Sequence, residues 1–303
     1  MTRDTETWPA LPLDAWKDSC DTLHMWTQIV GKLRLALAPR VNHWWGVTLY
    51  VTPRGLTTSA IPVGDRSFDA TFDFIDHVLR LQTSDGRMGV VALRPQTVAD
   101  FYAEVMRKVR GLGIDVRIST MPQEVEDPIR FDEDRRHASY DPAYAHRFWR
   151  TLVTADSLLK EFRARFIGKA SPVHFFWGSF DLAVTRFSGR RAPEIPGADM
   201  VTREAYSHEV SSCGFWPGNG GLAGPAYYSY AAPAPDGFKD AKIRPAAAFY
   251  SEAFSNFLLP YDDARAAANP RATVLEFLQS TYEAAANLGQ WDRKSLERDF
   301  SSP

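Results

Sequence analysis

The stretch Ser207-His208-Glu209-Val210-Ser211-Ser212-Cys213-Gly214-Phe215-Trp216-Pro217-Gly218-Asn219-Gly220-Gly221 gathers the residue types with which chemistry could be done. A histidine beside a carboxylate offers an acid/base pair or metal ligands, and the glycines allow positive φ and a close approach of backbone amides to a ligand. His208 is therefore the candidate acid/base, with Glu209 or Asp181 as its partner. Neighbouring residues of a regular strand point to opposite faces, so His208 and Glu209 share one pocket only across a bulge. Asp181 follows Trp177 and Ser179 with period two, an aromatic, a hydroxyl and a carboxylate in a row, and suits the orienting of a histidine. Trp216 and Asn219 read as a loop that closes over a ligand, and His174, Trp177, Tyr228 and Glu252 as further lining.

Each of these residues also has a plainer reading. His43 and His174 fall on strand faces shared with large apolar residues, where a buried imidazole satisfied by a neighbour is the expectation. Glu209 reads equally as a surface carboxylate, Asp181 as a solvated one, and Cys213 as a small packed thiol. If His43, His77, His174 and His208 converge, a metal site follows, because imidazole suits zinc, iron, copper or nickel. No His-x-His or His-x-x-x-His spacing supports one, and no metal or cofactor is assigned. Gly218 to Ala223 fits G-x-G-x-x-A, but Pro225 stands where a nucleotide-binding helix would begin. No G-x-S-x-G elbow accompanies a serine.

The elements that must position these residues come in two similar series. Apolar residues at Trp16, Cys20, Leu23, Trp26, Val30, Leu33 and Leu37 predict a helix capped by Asp14, followed by a strand over Asn42 to Thr52. A long strand with a bulge near Ile75 is expected over Phe68 to Gln82, then a short strand Met88 to Leu93, a helix opened by Thr97, and a strand over Asp115 to Ser119. From Met121 to Tyr140 charge replaces apolar periodicity. A second helix over about 144–166 then precedes a strand containing His174-Phe175-Phe176, and a last helix carries a Thr273/Glu276 capping box. His43 and His174 are separated by the same interval as His77 and His208. The reading is an α+β protein made of an internally duplicated helix–antiparallel strands–helix unit with a pseudo-twofold arrangement. Its parts are a first repeat at 1–120, a charged linker at 121–140, and a second repeat at 141–303 holding an inserted Gly/aromatic-rich loop.

The chain of 303 residues is 45% hydrophobic and 13% aromatic, enough to bury a substantial core, and its net charge of -2 gives no field that would gather nucleic acid. No stretch reaches the roughly 20 apolar residues of a membrane span, no basic-then-apolar leader opens the chain, and two cysteines make no disulfide framework. Cytoplasm is the expected compartment.

Trp8-Pro9 through Trp16, His174-Phe175-Phe176-Trp177-Gly178 and His208-Glu209-Val210-Ser211-Ser212 running into Gly214-Phe215-Trp216-Pro217-Gly218 resemble a bacterial family of uncharacterised proteins classed as a domain of unknown function. The resemblance covers nearly the whole chain and implies no reaction, cofactor or catalytic residue. The expectation is a small-molecule-binding protein, an enzyme using a His acid/base in an aromatic-rich pocket. The alternatives are a non-catalytic ligand-binding or sensor protein, and a metal-dependent enzyme with a histidine site at the repeat junction.

Overall fold

The computed structural model describes residues 6–218 and 221–298. After a 3-10 turn at Leu13–Ala15, helix α1 spans Lys17–Leu37, starting later than Asp14 capping would place it and with no side-chain cap. Its three-and-four spacing does what the pattern requires: Cys20, Leu23, Trp26, Val30 and Leu33 are all buried.

The strand expected over Asn42 to Thr52 is confined to its end. Asn42–Val47 coils into 3-10 turns with His43 and Trp44 at φ of 57 and 61. The carbonyls that a ladder would use are taken by side chains instead: Arg34 Nε of α1 donates to Gly46 O at 2.9 Å, and Thr48 Oγ1 to Trp45 O at 3.1 Å. Strands β1 (Tyr50–Thr52), β2 (Gly55–Thr57), β3 (Ile61–Val63), β4 (Arg66–Asp73), β5 (Val78–Thr83) and β6 (Met88–Ala92) then form an antiparallel sheet in the order β1-β2-β4-β5-β6, with β3 on β4. The phase lost near Ile75 marks a hairpin and not a bulge. Asp73 Oδ1 accepts the N–H groups of Ile75 and Asp76 and so closes the turn. Helix α2 (Val98–Gly111) is capped by Thr97 as expected. Residues 115–119 form no strand.

Helix α3 (Pro142–Ala164) is capped by Asp141, with proline preset in its first turn. Strands β7 (His174–Phe176) and β8 (Asp181–Arg191) follow, then the short α4 (Met200–Ala205), β9 (His208–Trp216), β10 (Ala226–Ala232), β11 (Phe249–Ser251) and β12 (Asn256–Pro260). Helices α5 (Tyr261–Ala266), α6 (Pro270–Leu288) and α7 (Arg293–Leu296) end the described chain. Asn269 caps α6 by accepting the Ala272 N–H, so Thr273 lies inside the helix and makes no capping box. The second antiparallel sheet runs β11-β12-β10-β9-β8-β7.

The architecture is α+β, two antiparallel sheets with helices packed on them. They join where Leu49 and Phe175 exchange both backbone hydrogen bonds, at 2.9 and 2.8 Å. One apolar core runs through both halves, from Phe72 and Trp26 to Phe215 and Tyr282. Leu182, Val184, Phe215 and Tyr227 belong to that core, while the register puts Asp181, Ala183, Thr185, Ser212, Gly214, Tyr228 and Tyr230 on the opposite face of the second sheet. Loops cover this face: Trp45 lies against His174 and Phe187, and the Tyr206 hydroxyl is 3.1 Å from that of Tyr230. No helix among the described residues is long and apolar enough to cross a membrane.

Candidate functional site

The residues singled out from sequence are not assembled into one site. His208 and Glu209 do point to opposite faces, and Glu209 is held by Arg190, which also donates to the carbonyls of Gly289 and Gln290 after α6. Asp181 precedes Leu182, the β8–β9 ladder partner of Phe215, which is seven residues along β9 from His208, at about 3.3 Å per residue roughly 23 Å. His208 instead faces His43, ring centroids 5.7 Å apart, and Ser207 Oγ. His174 is fully buried among Trp45, Tyr50 and Phe176 with neither ring nitrogen hydrogen-bonded, and burial pushes it down to about 3. His77 is bonded to the Tyr140 hydroxyl in the first half. The four histidines therefore do not converge, and among the described residues no group of three metal-ligating side chains exists.

Trp177 packs on Gly31 of α1 and donates Nε1–H to Val47 O at 2.7 Å. Trp216 stands edge-on to Phe254, and Glu252 is an exposed partner of Lys239 in the β11–β12 turn. Asn219 lies outside the described residues. Cys213 is buried, its thiol pushed up to about 12, which leaves no thiolate for nucleophilic work.

Asp181 and Tyr228 do meet. The Tyr228 hydroxyl donates to Asp181, whose other oxygen accepts Ser179 Oγ at 2.5 Å. The contact needs Gly214, since a Cβ there would lie 2.6 Å from the Tyr228 oxygen and 2.0 Å from Leu182 O. Burial, ahead of every other influence, raises the Asp181 carboxyl, with its two hydroxyl donors opposing.

Beside it opens a cavity of about 610 Å³, walled by the N-terminal turns of α1, by residues 124–127 and 136–139, and by Gly221 of the glycine loop. The charged segment is fastened there. Gln28 brackets Gln123 with both amide atoms, at 2.8 and 2.9 Å, and Lys32 Nζ donates to Met121 O. Phe131 and Asp134 are fully buried. Glu124 and Asp127 have φ of 53 and 50, a left-handed backbone that costs about 1 kcal/mol or more in a non-glycine residue and gathers at functional sites.

His24, Glu124 and His137 line this wall, with Asp134 behind His137. Asp134 accepts the N–H groups of Arg136 and His137 on one oxygen and His137 Nδ1–H on the other at 2.7 Å, which leaves His137 Nε2 as the basic nitrogen. His24 Nε2–H donates to Gly178 O at 2.8 Å and Trp177 O at 3.1 Å, and burial lowers it to about 4, so it is neutral near pH 7. Glu124 is an exposed residue overall, yet its carboxyl is packed so closely on Gly178 that a Cβ there would lie 2.5 Å from Oε1. Desolvation of that carboxyl, and secondly the charge of Asp181, raises its pKa.

Around them the cavity carries Asp18, Asp21, Glu126 and Asp127 against Lys17 and Arg136, with Lys17 ion-paired to Asp21 at 2.6 Å. The wall favours a cationic ligand. Sequence reasoning passed over Glu124, Asp134 and His137 because a charged, aperiodic run reads as a linker. Phe131 and Tyr140, apolar anchors inside it, were the available signal.

No curated protein and no solved structure matches the chain. One family model does, over residues 8–298, described as a family of unknown function (DUF5996).

Proposed function

Since the chain belongs to this family of unknown function, its own geometry is the guide, and we propose that it is an acid–base enzyme acting on a small amine-bearing molecule held in the cleft between α1, residues 121–140 and Gly221. The observation that carries this is the buried Asp134 orienting His137 on the same cavity wall as Glu124, whose carboxyl pKa is raised by desolvation. His137 Nε2 would take a proton from the bound molecule and Glu124, its pKa raised by desolvation, return one. The acidic wall would bind the ammonium group.

The test is a thermal-shift screen of small amines, amino alcohols and amino acids, followed by product analysis of any that bind. Glu124→Gln and His137→Asn are each expected to keep binding of those ligands while losing turnover, and Asp18→Asn in the acidic wall to weaken binding. Turnover unchanged in both Glu124→Gln and His137→Asn would overturn the assignment. Binding sensitive to Asp18→Asn but with no product in the wild type would assign the sensor reading instead. Catalysis at His208 draws no support from its neighbours, the His43 ring, the Ser207 hydroxyl and the charges of Lys169 and Arg191, with no orienting carboxylate in contact among the described residues.

The cytoplasmic location and the descent of both halves from one duplicated unit stay proposals. The order helix, antiparallel strands, helix in each half supports the duplication, with Leu49 just before β1 bridged to Phe175 of β7 across the junction. The histidine pairs do not share equivalent settings: His43 lies in a 3-10 turn and His174 on a strand, His77 in a hairpin turn and His208 at a strand start.

A further inference from the structure

The motif histidine His208 is left outside the acid–base cleft, and its surroundings have a chemistry of their own. Lys169 Nζ lies 2.6 Å from His43 Nε2 and donates to it. His43 Nδ1–H in turn points to the carbonyls of Glu204 and Ala205 at the end of α4, at 3.0 and 3.3 Å, which fixes the tautomer and aims Nε2 at the lysine. Two successive left-handed residues, His43 and Trp44, hold the ring in this position. The His208 ring stands edge-on to it, and Arg191 is the ladder partner of His208 where the β8–β9 register is irregular.

This group collects positive charge without a counter-ion. Neither Lys169 nor Arg191 is ion-paired to a carboxylate among the described residues; Glu204 contributes its backbone carbonyl, and Glu209 is turned to the other face by Arg190. Besides the His43 nitrogen, the ammonium is flanked by ring faces, 4.8 Å from the Phe187 centroid and 5.6 Å from that of Trp45. Burial, then the neighbouring Lys169 charge, lowers both His43 and His208, which is the cost that a bound anion would relieve.

From this geometry we propose a second binding site, for an oxyanion such as a phosphoryl or carboxylate group, formed by Lys169, His43, His208 and Arg191. It is independent of the acid–base cleft. The lysine and arginine would supply charge-assisted donors, and the His208 ring a further donor from the opposite side.

The test is titration of the full-length protein with inorganic phosphate at fixed ionic strength, followed through the imidazole C–H signals in NMR. Saturable shifts of His43 and His208 are expected, with none from chloride. Lys169→Met should weaken binding about tenfold or more, the loss of one charge-assisted hydrogen bond. His208→Asn, a change at a partly exposed position, should weaken it with the fold intact by circular dichroism. Saturation by acetate as well as phosphate would support a general oxyanion site, and by phosphate alone a phosphoryl site. Non-saturating shifts, or wild-type affinity in His208→Asn and Lys169→Met, would overturn the proposal.

Discussion

Asp134 is a fully buried carboxylate whose charge is spread over two backbone N–H groups and one imidazole, so its burial is compensated and its geometry is fixed. His174 is the opposite case, a buried ring with two unpartnered nitrogens. With His24 held near 4 and His174 near 3, both are neutral in the fold while the unfolded chain titrates near 6.5. Stability is complete above about pH 6.5 and falls as pH drops, since only the unfolded state binds those protons. At pH 5 each histidine should cost about 2 kcal/mol, from about 1.4 kcal/mol per pH unit. Urea midpoints at pH 7 and pH 5 check this: the wild type should lose stability on acidification, and His174→Leu should lose distinctly less. Gly214 gives a second prediction at this scale. Gly214→Ala forces a Cβ onto Leu182 O and the Tyr228 ring and should cost about 2–3 kcal/mol in urea denaturation, breaking the Asp181–Tyr228 contact.

Among the elements, α3 and α6 are joined to the second sheet through one buried side chain. Arg186 of β8 donates to Phe162 O and lies 3.5 Å from the Phe162 ring centroid and 4.3 Å from that of Tyr282. Its Nε has no partner, and burial lowers its pKa to about 10. Truncating it opens a cavity and deletes the aromatic contacts, so Arg186→Ala should cost about 3–5 kcal/mol, whereas Arg186→Met, which fills the space without a charge to desolvate, should cost far less. Equal losses in urea denaturation would show that the charge itself holds the helices. The helices were legible because their apolar stripes repeat and their ends carry Thr97 and Asp141. The hairpin at 74–77 and the turns at 42–47 were not, because Asp73 and Arg34 capture backbone groups that alternation assigns to strands.

At the scale of the molecule, the Leu49–Phe175 bridge and the shared core make the two sheets a single folding unit. Tryptophans lie on both sides of the junction, Trp26 in the first half and Trp149 in the second. Tryptophan fluorescence and far-UV circular dichroism should therefore give coincident unfolding curves. Two separated transitions would mean that the halves fold independently and that the bridge adds little. The cleft depends on this unity, because α1, the 121–140 segment and Gly221 come from widely separated parts of the chain.

By itself the sequence determined the α+β class, the helix stripes, the opposed facing of His208 and Glu209 and the family resemblance, because each follows from local periodicity or from contiguous residues. It also marked the glycine-rich loop, which does border the cavity at Gly221. Only the tertiary structure decided which charged residues lie together. The distance from Asp181 to His208 is set by strand register, and the convergence of Asp134, His137, Glu124 and His24 by Gln28 and Lys32 fastening a loop distant in sequence onto α1. Side-chain contacts across such separations leave no period in the chain, and so several of the groups that line the cavity lay in the stretch that looked like a linker.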